Sequence, residues 1–84
     1  MKTPAPTNRA YDEIIEFLAA GTTPQNLIDF QPSESAKARV AALIDQEKQA
    51  SLTAEEKAEL DHYLMLEHLL RLAKARAHEY LMPA

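Results

Sequence analysis

Glu59 and His62 stand three positions apart in the run Glu59-Leu60-Asp61-His62. On a helix that spacing puts a carboxylate and an imidazole on one face. It is the i, i+3 pair with which ferritin-like bundles hold iron. A two-metal centre also needs a second such pair and two further carboxylates. One copy of the chain supplies a single Glu-x-x-His; a symmetric dimer would double it, with Glu13 or Glu16 completing the set. The plainer role, two polar side chains flanking a core and meeting solvent, is the one expected. No metal and no cofactor is assigned, and Glu59 and His62 stand only as candidate ligands.

The remaining polar residues offer less. His68 follows His62 by six residues, on the opposite side of a helix, so the two cannot share an ion. His78 falls near the end of the last helical stretch, where a cationic side chain complements the helix dipole. No histidine has an acidic or nucleophilic neighbour at a spacing that suggests proton relay. Ser33, Ser35 and Ser51 precede helical stretches and read as caps. A single glycine cannot build a phosphate-cradling loop. The expectation is a protein that is not an enzyme.

Arg71, Lys74 and His78 share a stripe, with Arg76 on the same helix end, and this local basic patch could touch phosphates or an acidic partner. Complementation of the helix dipole and the i, i+4 pair Glu67–Arg71 account for it more simply. The net charge of −4 opposes broad nucleic-acid binding, which needs a basic surface to release counterions. No reading helix with exposed polar residues is recognisable. Nucleic acid is therefore not an expected partner.

These residues must be positioned by helices. The 84 residues contain one Gly, no Cys and no Trp, in a composition favouring helix nearly throughout. Disulfides and thiolate metal sites are excluded together. The N-terminus has no apolar segment of the signal-peptide kind, and no apolar run is long enough to span a membrane. A soluble cytoplasmic protein is expected, with one domain and a modest core.

Met1 to Ala10 reads as a flexible arm, and residues 11–84 as a single helical domain. The first helix is expected over about Arg9 to Ala20, capped by Thr7 or Asn8, with Tyr11, Ile14, Ile15 and Leu18 as its apolar stripe. Gly21 suits a left-handed stop. Thr23-Pro24 restarts the chain as cap and first helical residue for a two-turn helix to Phe30. Pro32 closes it, and Ser33 caps a third helix to about Gln49, with Ala36, Val40, Leu43 and Ile44 on one stripe. Thr53 and Glu56 form a T-x-x-E capping box. The helix they open meets no Gly or Pro before Pro83, so it can run for about 28 residues, roughly 42 Å.

That last helix carries more apolar surface than three short neighbours can cover. Tyr63, Leu66, Leu69, Leu70, Ala73, Ala77, Tyr80 and Leu81 share a broad arc; Leu60 and Leu64 fall to one side of it, Met65 and Leu72 to the other. The expected partner interface is therefore Leu60, Tyr63, Leu64, Leu66, Leu69, Leu70, Leu72, Ala73 and Tyr80, rimmed by Arg71, Lys74 and Arg76. Self-pairing through this helix, a different protein partner, and complete internal packing all remain open from the wheel.

The blocks YDEIIEFLAAGTTPQNLIDFQPSESAKARV (Tyr11 to Val40) and LTAEEKAELDHYLMLEHLLRLAKARA (Leu52 to Ala77) resemble small helical proteins of cyanobacteria and other bacteria. The G-T-T-P and F-x-P-S-E junctions and the E-L-D-H-Y-L-x-L-E-H-L block carry the resemblance. It implies an antitoxin-like or accessory partner encoded beside a small HNH-type nuclease, and no catalytic residues. The sequence thus predicts an all-α bundle of about four helices, one short, with a long C-terminal helix and a dimeric state. Its expected function is non-enzymatic binding of a toxin or nuclease. The alternatives are a homodimeric scaffold without a toxin partner, and a metal- or DNA-binding regulator.

Overall fold

The computed structural model describes residues 9–82. It is all-α: α1 (Asp12–Ala19), α2 (Pro24–Asp29), α3 (Glu34–Lys48) and α4 (Ala54–Leu81), with no strand among the described residues. Three of the four helix starts carry the side-chain caps that the sequence predicts. Thr23 Oγ1 accepts the Asn26 N–H at 3.1 Å, with Pro24 in the first turn. Ser33 Oγ accepts the Ala36 N–H at 3.1 Å. Thr53 and Glu56 exchange two bonds of 3.0 Å, the full capping box.

The first helix departs from expectation. It begins at Asp12, three residues later than Arg9, and Tyr11 at its cap position makes no side-chain cap bond. The turn before it is closed instead by Asp12, whose carboxylate accepts the Arg9 N–H at 2.8 Å. Thr7 and Asn8, the expected caps, lie outside the described residues, as does most of the expected arm. Ala10, part of that arm by composition, is buried, and its N–H donates to Glu59. The folded unit therefore begins before Tyr11.

Helix stops are made in two ways. Gly21 takes φ +86°, the left-handed backbone that only glycine adopts without steric cost. At the end of α3, Ala50 adopts φ +57°. There the Ala50 N–H reaches Glu47 O at 3.0 Å and the Ser51 N–H reaches Gln46 O at 2.9 Å. This is a Schellman closure, built with an alanine where glycine is usual.

The core is Ala10, Ile14, Leu43, Leu60, Tyr63 and Leu70, ringed by Tyr11, Leu27, Phe30, Val40, Leu52 and Leu66. Helix α4 lies along α2 and α3, and Phe17 stacks against Phe30 with ring centres 4.4 Å apart. Two polar ties fix the shorter helices. The Glu13 carboxylate on α1 accepts both the backbone N–H of Ser33, at 2.8 Å, and its hydroxyl. Lys74 on α4 donates to Phe30 O at the end of α2, at 2.7 Å.

Only part of each expected stripe faces inward. Ile14 and Leu43 are sealed, whereas Ile15, Leu18 and Ile44 keep more than a third of their surface in solvent. The reason is shape. The molecule measures 50 × 37 × 19 Å, with a Cα radius of gyration of 14.9 Å, against about 12 Å for a compact chain of this length. A depth of 19 Å is about two helix diameters. The shorter helices cover one side of α4, so the molecule is a two-layer slab with a small core.

Candidate protein-interaction face

Helix α4 has an inner and an outer apolar face. Glu59, Leu60, Tyr63, Leu70 and Ala77 are buried, and Leu66 and Ala73 are half-buried beside them. Leu60, Tyr63 and Leu70, expected at the partner interface, are buried within the fold. They are core residues, because α1, α2 and α3 occupy an arc rotated towards Leu60 rather than one centred on Leu69. Burial also pushes the Tyr63 phenol above its ordinary value.

The outer face carries Met65, Leu69 and Leu72, which are 60%, 55% and 57% exposed. Their spacing is i, i+4, i+7, a heptad-type seam on the side of the helix away from the core. Leu64 is exposed on a different edge, and Tyr80 lies open near the C-terminal end of α4. A shallow apolar groove of about 310 Å³ between α2 and α4, lined by Pro24, Leu27, Ala73, Ala77 and Tyr80, adjoins the seam. Of the nine side chains expected at the interface, Leu64, Leu69, Leu72 and Tyr80 are exposed; Met65, left out of that set, belongs with them.

The expected basic rim does not form as one. Arg76 stands one turn beyond Leu72, at the end of the outer seam, with a long contact of 3.6 Å to Glu79. Arg71 points elsewhere and pairs with Glu67 at 3.0 Å. Lys74 is half-buried and its ammonium is held by Phe30 O. Its role is to satisfy a helix-end carbonyl.

Glu59 is the one buried charged residue among those described, and its contacts bear on its candidacy as a metal ligand. Oε2 accepts the Ala10 N–H at 2.7 Å and Arg39 Nε at 2.9 Å, while Oε1 accepts Arg39 Nη2 at 2.8 Å. The Arg39 guanidinium holds the Glu59 carboxyl below its ordinary value, against the opposing effect of burial. A carboxylate so engaged does not fit a metal ligand. His62 is exposed with its ring edge-on to Tyr11, at 5.5 Å between centres. Among the described residues no three His, Asp or Glu side chains gather as a metal site would require. The solvent-facing role expected for Glu59 is corrected: it is a structural counter-ion.

An open groove of about 700 Å³ lies over this pair, lined by Arg9, Tyr11, Arg39, Glu55, Glu56, Glu59 and His62 among others. The Arg39–Glu59 ion pair forms part of its lining, beside the exposed Glu55 and His62. The position of Glu59, on the apolar arc of its helix, was the available signal: a carboxylate among core residues requires a cation. Nothing in the spacing identified Arg39, twenty residues upstream, as that cation. Among the described residues no helix is long and apolar enough to cross a membrane. Comparison with protein-family models, with curated proteins and with solved structures finds no match.

Proposed function

We propose that this chain is a non-enzymatic binding module whose contact surface is the outer face of α4. The observation that supports it is the uncovered seam Met65–Leu69–Leu72 on a helix whose other face is already packed. Single exposed apolar residues are ordinary on protein surfaces, but a continuous set at helical spacing is the mark of a binding face. Completing the burial of three half-exposed large side chains yields about 1 kcal/mol each, before any flanking contribution. Association itself costs several kcal/mol, so Tyr80 and the adjoining groove must contribute to a stable complex.

The partner class in this proposal, a toxin or HNH-type nuclease held by an antitoxin-like or accessory protein, rests on the resemblance of the two sequence blocks. Its setting would be the cytoplasm, which the cysteine-free composition favours. Titration calorimetry between the purified chain and an HNH-type nuclease encoded beside its gene tests the reading. Binding that is lost in Leu69→Asp, with the helical signal retained, is the expected result. No heat of binding with the wild-type chain would sink it.

A further inference from the structure

We propose that the outer face of α4 receives a second copy of the same helix, running antiparallel. This rests on the binding-face reading above and takes a second copy, in place of a nuclease, as the occupant of that face. The seam is two interlaced heptad series, Ala58–Met65–Leu72 and His62–Leu69–Arg76. Antiparallel helices of this kind pack a residue of one series level with a residue of the other. Placing Met65 of one copy level with Leu69 of the other sets Leu72 over the partner's His62, and Arg76 over the partner's Ala58.

The charges then select this arrangement. Ala58 is small enough to leave room for the Arg76 stem, and its neighbours one turn away, Glu55 and Asp61, are both acidic and exposed. Each Arg76 therefore lies beside the partner's Glu55 and Asp61, twice per dimer by symmetry, and bridges the partner's Glu55 and its own Glu79, which the same register sets level. Its present contact with Glu79, at 3.6 Å, and that of Asp61 with Lys57, at 3.8 Å, are long exposed pairs that exchange readily. A parallel pair in register would instead set Arg76 against Arg76 and Glu55 against Glu55. An antiparallel pair also opposes the two helix dipoles.

The absence of native cysteine makes the register directly testable. Ala58→Cys and Arg76→Cys chains are prepared separately and mixed under mild oxidation. The antiparallel register predicts mixed disulfides in clear excess, because two copies of Cys at position 58 would lie about 27 Å apart along the axis. Self-linked Ala58→Cys dimers in preference to mixed ones would overturn it.

Because Arg76→Cys removes the charge under test, light scattering over a concentration series provides a second arm. Wild type should be dimeric, and Asp61→Arg or Arg76→Asp should each weaken the dimer about tenfold. The double reversal should restore it. A wild-type chain that stays monomeric across the series, or a dimer indifferent to Leu69→Asp, would overturn the proposal. A monomer that still binds the nuclease through Leu69 would overturn self-pairing alone. A dimer with no affinity for nuclease would overturn only that choice of partner.

Discussion

The carboxylate of Glu59 on α4 takes both Nε and Nη2 of Arg39 on α3, at 2.9 and 2.8 Å, and is itself 8% exposed. The fork geometry makes this a two-bond contact between helices, and the Ala10 N–H adds the start of the fold to the same carboxylate. Glu59→Gln should cost about 2 kcal/mol, since it leaves a guanidinium facing a neutral amide. The leucine pair Glu59→Leu/Arg39→Leu should recover part of that loss, because desolvation of the ion pair disappears with it. Urea unfolding followed by circular dichroism measures both. A double variant less stable than Glu59→Gln would show that the ion pair contributes more than its apolar replacement.

Acid should loosen the same contact. Glu59 is held low chiefly by the Arg39 hydrogen bonds, and Glu13 is held low chiefly by the Ser33 hydroxyl. A carboxyl whose folded value is depressed contributes stability above its ordinary value. That contribution is lost as pH falls through the folded one. Stability should therefore be flat near neutrality and decline from about pH 5 downward. The decline should be shallower in Glu59→Gln. An equal slope in that variant would assign the acid sensitivity elsewhere.

The backbone plan was legible because it is written in short-range chemistry. Thr23-Pro24, Ser33, Gly21 and the Thr53–Glu56 box each act within four residues, and each is found where the sequence puts it. The orientation of α4 was not legible. Its leucines surround most of the helix, so only the neighbours decide that Leu60 and Leu70 turn inward while Leu69 and Leu72 turn out. The roles of Glu59 and Lys74 depend on Arg39 and on Phe30 O, partners 20 and 44 residues away, which no local pattern encodes.

Ala50 is a point where the chain can be improved. Its φ of +57° crowds the methyl group against the backbone, and a glycine there would keep both Schellman bonds without that cost. Ala50→Gly should stabilise the protein by up to about 1 kcal/mol, the gain being reduced by the greater freedom of glycine in the unfolded chain. A rise of the thermal midpoint is the expected reading. A fall would mean that unfolded-state entropy outweighs the relief of strain.

Lys74 ties α4 to the end of α2, and the bond can be removed without touching the seam. Lys74→Met keeps most of the apolar stem but leaves Phe30 O without its ammonium donor. The expected cost is about 1–2 kcal/mol, since the lost bond is charge-assisted and half-buried. Hydrogen exchange should show the amides of Asn26 to Phe30 opening faster, with those in the middle of α3 little changed. Uniform acceleration across all helices would mean that α2 and the rest unfold as one unit.

The inner and outer leucines of α4 should separate cleanly under substitution. Leu60 is 1% exposed and Leu72 57% exposed, on one helix and twelve residues apart. Leu60→Ala removes sealed core and should cost about 2–5 kcal/mol, in a protein whose total stability is expected near the low end of the usual range. Leu72→Ala should change the stability of the dilute chain by no more than about 0.5 kcal/mol. Under the proposed self-pairing its effect should appear only as protein concentration rises, as a lower midpoint than wild type, because binding between folded copies would add stability by mass action. Unfolding curves for the three proteins at low and high concentration decide the matter. A Leu72→Ala loss that is large and independent of concentration would place that side chain inside the monomer fold.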